Sequence, residues 1–237
     1  MKLSEAVRGV SGTLAADGEF SCIAFATEQE QSQFLTFLEK EKFLPALDNS
    51  KISCVLTTSA LAEKIPPHIK GVFLCDRPKA ALFEIHNRLA RHPDYVGASA
   101  ATVVGEGCSI SPLAAIDCEN VVIGDRVTIE PFVVIKGRVI IGNDVTIRSG
   151  AVIGCKGFSF SKDAQGQNVS VEDTARIIIE DHVEIFEQVA ISTGIFPWEE
   201  TRIGENTKVD AQCHIGHGAH IGRNCLLAEG SRCCGNS

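Results

Sequence analysis

The residues best suited to chemistry lie close together near the end of the sequence. His214, His217 and His220 form an H-x2-H-x2-H run, a spacing that invites a metal reading. Asp210 stands seven positions before His217, and Gly235 stands eighteen after it. A histidine whose pKa lies near neutrality can act as general base toward an amine. A backbone N–H at a small residue such as Gly235 can stabilise a developing oxyanion. Asp210 is the acid within reach along the chain, either orienting the ring or standing apart from it. The ten cysteines (22, 54, 75, 108, 118, 155, 213, 225, 233 and 234) contain no C-x2-C pair, and several fall in Val/Ile-rich runs. They read as small buried hydrophobes, with the vicinal Cys233-Cys234 left open.

The elements that position these residues follow from a repeat. An aliphatic residue recurs every six positions: Val104, Ile110, Ile116, then after one inserted residue Ile123, Ile129, Ile135, Ile141, Ile147 and Ile153. The count resumes at Ile179, Ile185, Ile191, and again at Ile203, Val209, Ile215, Ile221, Leu227 and Cys233. A period of six matches neither a helix nor a hairpin ladder. It matches a parallel β-helix, in which three hexads close one coil of about 18 residues and about six coils stack. Inward aliphatic residues then repeat at strand spacing, ~4.8 Å apart. Glycines, as in Ile123-Gly124 and Ile141-Gly142, are expected at the turns, often at positive φ. In such a prism His214, His217 and His220 face different directions, so no metal is expected. Residues eighteen apart stack, which sets Gly235 directly over His217.

The first hundred residues follow a different pattern. Residues 20–25, 52–57 and 71–75 read as short buried strands, and 28–42 carries Phe34, Leu35 and Leu38 at helical spacing. Asp76-Arg77-Pro78 reads as a helix opening with Asp76 as cap, followed by an apolar face of Ala81, Leu82, Ile85 and Leu89. This predicts a small α/β domain over 1–95, a linker at 91–94, and a β-helix domain over 96–237. Two interruptions of the repeat are candidate site walls. The long one, 154–178, holds Gly157-Phe158-Ser159-Phe160 and the polar turn Asp163-Ala164-Gln165-Gly166. The short one, 194–202, holds Phe196-Pro197-Trp198. Such loops either pack on the coil sides or line a ligand groove.

Composition narrows the classes. The chain has 237 residues, 44% hydrophobic, with a net charge of −8 and a pI near 5.4. That balance argues against nucleic-acid or anionic-membrane partners. No apolar run approaches transmembrane length, and the start lacks a signal layout, so a soluble cytoplasmic protein is expected.

The chain resembles the UDP-3-O-(3-hydroxyacyl)glucosamine N-acyltransferases of lipid A synthesis along nearly its whole length. The resemblance is carried by Gly157-Phe158-Ser159-Phe160, by 176–185 (RIIIEDHVEI), and by Lys208-Val209-Asp210 through His214-Ile215-Gly216-His217. It implies a uridine-binding N-terminal α/β domain followed by a left-handed β-helix, and a homotrimer with active sites between subunits. It further implies transfer of a 3-hydroxyacyl chain from an acyl carrier protein thioester to the 2-amine of a UDP-amino-sugar, with no bound cofactor. His217 matches the family's general base, Asp210 its neighbouring acid and Gly235 its oxyanion-stabilising backbone. Phe25 matches an aromatic that stacks on uracil, while Phe158, Phe160 and His214 join the substrate-binding set. The chain departs from the family at Ile191-Ser192-Thr193-Gly194, where Ile-Asp-Arg-Gly is usual. It departs again at Gly218, where Asn follows the histidine, and at Gln31, in place of a tyrosine. Ending at Ser237, it is expected to be cut short of further coils. The alternatives are an acetyl-CoA-dependent N-acetyltransferase of a nucleotide amino-sugar and a non-catalytic trimeric scaffold.

Overall fold

The computed structural model describes residues 1–163 and 165–237. It divides into two compact units: Met1–Tyr95 with Ser159–Glu172, and Val96–Phe158 with Asp173–Ser237.

The first unit is a five-stranded sheet. Its strands are β1 (Thr13–Ala16), β2 (Cys22–Ile23), β3 (Phe34–Leu38), β4 (Ile52–Thr57) and β5 (Gly71–Leu74), in the order β1-β5-β4-β3-β2. Only β1 runs antiparallel to its neighbour. Phe34, Leu35 and Leu38, read above at helical spacing, belong to strand β3 and not to a helix. A parallel strand covered on both faces is apolar on successive residues, and that run mimics one face of a helix. Helix α1 spans Leu3–Ala6, and helix α2, Pro78–Leu89, packs on β3 and β4. Pro78 occupies the first helical position, where its missing N–H is no loss. The capping position falls on Arg77, at φ −134° and ψ 70° and with no side-chain bond, so Asp76 lies one residue too early to cap. The linker segment is partly helical over Pro93–Val96.

The middle of the long interruption, Ser159–Glu172, belongs to this first unit. Phe160–Lys162 pairs antiparallel with Asn168–Ser170. Asp163 Oδ1 shapes the turn by accepting the N–H groups of Gln165 and Gln167, at 2.9 and 2.8 Å; Ala164 of the same turn lies outside the described residues. Helix α2 grips this hairpin. The Asn87 amide donates to Ser170 O and accepts from Glu172 N–H, both at 2.9 Å, and Arg77 donates to the carbonyls of Lys162 and Asp163. Fully buried His86 is 2.8 Å from Glu172 O through Nε2 and 3.0 Å from the Tyr95 hydroxyl through Nδ1.

The second unit is a parallel β-helix of three six-stranded sheets. Each strand is only two to four residues long, so stability comes from pairing and stacking between coils. One sheet stacks Ile110, Ile129, Ile147, Ile185, Val209 and Leu227 in register. The second stacks Ile116, Ile135, Ile153, Ile191, Ile215 and Cys233. The third stacks Val104, Ile123, Ile141, Ile179, Ile203 and Ile221. Every hexad position read from the sequence lies in one of these columns. Ile153 pairs with Ile191, and Ile191 with Ile215, so both interruptions are extruded without breaking the stack.

Gly107, Gly150, Gly218 and Gly230 stand at turns with positive φ as expected, whereas the Ile-Gly pairs do not. The left-handed positions of one corner are held by Arg126, Asp144, His182, Asn206 and Asn224, all with φ between 55° and 59°. Gly124 and Gly142 serve close approach instead. A Cβ at Gly124 would lie 2.6 Å from Gly142 O, one coil away. Exposed side chains stabilise the corner column: Arg126 makes two 2.7 Å bonds to Asp144, holding that carboxyl below its usual range. Asn206 donates to Asn224 at 2.8 Å.

Ile185 is fully buried mid-column. Ile185→Ala should therefore lower stability by about 2–5 kcal/mol in denaturant unfolding, through lost burial plus a cavity. Burial lowers the His86 pKa from its ordinary 6.5, because the neutral ring is favoured inside the fold. Its stabilisation is present above pH 6.5 and is lost as pH falls through the depressed folded value. The melting temperature should thus drop on acidification below about 6.5, and His86→Gln should flatten that dependence in thermal melts.

Candidate active site

His217 sits at a corner of the β-helix, between the strands His214–Ile215 and His220–Ile221. Its backbone is pinned from the next coil, where Asn236 N–H donates to His217 O at 2.8 Å. Gly235 faces the ring. A Cβ there would lie 2.6 Å from Nε2 and 2.9 Å from each of Cδ2 and Cε1. Only a residue without a side chain lets the imidazole rest over this backbone. The stacking of His217 and Gly235 read from their eighteen-residue separation is thus present as direct juxtaposition. Gly218 follows at φ 66°, a left-handed position that both glycine and asparagine adopt readily. Replacing the family's asparagine with glycine therefore leaves this turn accessible.

The other predicted residues are placed differently. Asp210 is exposed at the corner preceding strand His214–Ile215, at the opposite end of that strand from His217. Its Oδ1 accepts the Ala211 N–H at 2.8 Å. Nδ1 of His217 is buried and, among the described residues, has no hydrogen-bond partner. Within one copy of the chain Asp210 therefore does not hold the ring. His214 is exposed on its strand, and His220 Nε2 lies 3.1 Å from Glu200 O. Among the described residues no group of three or more His, Cys, Asp or Glu is placed to hold a metal.

The aromatic candidates fall in both units. Phe158, in the second, is 94% exposed, next to Gly157, whose N–H donates to Asp173 Oδ2 at 2.8 Å. In the first unit Phe160 opens the hairpin, and Phe25 is half-buried edge-on to Phe37 and Phe83, each ring centroid at 6.4 Å. Phe83 also lines a cleft of about 730 Å³ walled by Leu74, Arg77, Glu84, Lys162 and Val169, which contains none of the predicted residues.

In the short interruption Phe196 is fully buried and stacked on Trp198, with centroids 5.9 Å apart. Glu199 Oε2 closes this loop by accepting the N–H groups of Ile195 and Phe196, at 2.9 and 3.1 Å. Sequence reasoning missed Thr201, a fully buried strand residue whose hydroxyl reaches the His217 corner. A lone threonine among aliphatic hexads gives no signal of such a role.

The ten cysteines are free thiols. Burial pushes Cys22, Cys54 and Cys75 up to about 11, which suppresses the reactive thiolate. Cys233 fills an inward column position over Ile215, while Cys234 is exposed.

Repeat, register and corner histidine together define a hexapeptide-repeat β-helix, and the bacterial transferase hexapeptide family (six repeats) matches residues 120–155 and 200–235. In sequence the chain is similar to UDP-3-O-acylglucosamine N-acyltransferases. With that of Bradyrhizobium sp. (strain BTAi1) it shares 29% identity over 86% of the chain and 64% of the relative. With that of Coxiella burnetii it shares 28% over 95% of the chain and 72% of the relative. The chain thus spans about two thirds of the length of these relatives. The crystal structure of a UDP-N-acetylglucosamine acyltransferase from Bacteroides fragilis is similar at 31% identity and a TM-score of 0.50, covering 58% of this chain and 49% of that one. No helix among the described residues is long and apolar enough to cross a membrane.

Gly235→Ala should push the imidazole off its seat while leaving the aliphatic columns intact. The expected outcome is a shifted His217 Cε1–H resonance in NMR, with a melting temperature within a few degrees of wild type.

Proposed function

We propose that the chain is an N-acyltransferase of lipid A synthesis. It would move a 3-hydroxyacyl chain from acyl carrier protein to the 2-amine of UDP-3-O-acylglucosamine in the cytoplasm. The observation that carries this reading is His217 Nε2 resting against the Gly235 backbone, at the positions that match the family's base and oxyanion donor.

In this scheme His217 Nε2 accepts a proton from the sugar amine as its nitrogen attacks the thioester carbonyl. The resulting tetrahedral oxyanion is met by backbone N–H at Gly235. Collapse breaks the C–S bond, and the protonated imidazole returns its proton to the leaving thiolate. Asp210 contributes through its charge, since its carboxylate is engaged by Ala211. Phe25, held edge-on by Phe37 and Phe83, presents a fixed ring face to uracil. Phe158 and Phe160 offer apolar surface to the acyl chain, and His214 extends the polar contacts to substrate.

A homotrimer fits the same reading. Val103, Val122, Ile140 and Ile178 stack on the outside of one sheet, and the first three are exposed, an apolar stripe suited to a second copy. Sedimentation should give a trimer; a monomer removes the shared groove.

Purified protein should consume 3-hydroxyacyl-acyl carrier protein with UDP-3-O-acylglucosamine as acceptor. His217→Ala should cut kcat at least about 100-fold, and Asp210→Asn about tenfold or less. Consumption of acetyl-CoA alone would turn the assignment to an N-acetyltransferase. Full activity of His217→Ala would remove the general base.

A further inference from the structure

We propose that Thr201 is the positioning residue for His217, setting the corner that carries the imidazole through the Gly218 amide. This inference rests on the general-base reading of His217.

Thr201 lies in the strand Glu200–Ile203 and is fully buried. Its Oγ1 accepts the Gly218 N–H at 2.9 Å and donates to Ser192 O, also at 2.9 Å. Ser192 lies just before the short interruption and Thr201 near its end, so one hydroxyl ties both sides of that loop to the corner of the coil above. The lower end is fixed in turn. Ser192 is buried with its Oγ 3.4 Å from Cys155 Sγ, and Thr193 N–H donates to Cys155 O at 3.1 Å. These buried groups replace the Asp-Arg pair usual in the family with neutral ones.

The geometry bears directly on His217. Gly218 is the next residue, at φ 66°, and its amide direction sets the peptide plane from which the histidine departs. Among the described residues nothing bonds Nδ1 to steady the imidazole. Its place over Gly235 therefore depends on backbone anchors: Asn236 N–H on the His217 carbonyl, and Thr201 on the amide that follows. Without the hydroxyl, the half-buried Gly218 N–H loses its acceptor, and the corner relaxes to find another. A shift of about 1 Å there is enough to spoil proton transfer.

Thr201→Val keeps the branched shape and removes the hydroxyl, whereas Thr201→Ser keeps the hydroxyl. In the acyl carrier protein assay Thr201→Val should lower kcat about 10- to 100-fold with KM unchanged, and Thr201→Ser should restore it to within about threefold. Amide exchange at Gly218 should accelerate in Thr201→Val and not in Thr201→Ser. The pH profile of kcat should shift only in the former. If Thr201→Val does not fold, Thr201→Ala carries the same comparison. Equal losses in the two hydroxyl-free and hydroxyl-bearing variants, or wild-type kcat in Thr201→Val, would overturn the proposal. Full activity in His217→Ala would instead sink the general-base reading, a separately visible failure.

Discussion

The second unit depends on one constraint: every coil must return to the same register as the coil beneath it. Strands of two to four residues have no independent stability, and they persist because each inner strand pairs on both sides and buries one aliphatic residue in a continuous column. A one-residue slip would turn each column outward, so register is strongly specified. The left-handed corner residues make closure possible, and the stacked glycines let adjacent backbones come within contact distance.

The same constraint builds the site. His217 and Gly235 meet because their separation equals one closure of the prism, and no local motif is needed to bring them together. Conversely, residues close in sequence are kept apart. Asp210 and His217 occupy successive corners, and the three histidines of the H-x2-H-x2-H run spread over strand, corner and strand. A β-helix turns sequence proximity into angular separation and sequence period into contact.

This explains what could be read in advance. The column residues were legible because six is a period no other element shares, and insertions only paused the count. The His217–Gly235 contact followed from the same arithmetic. Helix-like spacing in 34–38 misled because doubly covered strands carry no alternation, and Asp76 missed its cap by one residue because Pro78 decides where α2 starts. Thr201 and His86 were illegible for another reason. Their roles rest on bonds to backbone atoms far away in sequence, Gly218 and Ser192 for one and Glu172 for the other, which no pattern of residue types encodes.

The hairpin at 159–172 has a consequence for how the chain is made. It is encoded inside the repeat, yet it packs with the first unit, where His86 and Asn87 hold it some eighty-five residues from their own positions. A chain emerging from the ribosome can form the sheet β1 to β5 with α2 on it early, but the partners of His86 and Asn87 arrive only with Ser170 and Glu172. By then several coils of the β-helix have been synthesised. The order of synthesis thus ties the units together: the first is completed only after the second has begun to be made.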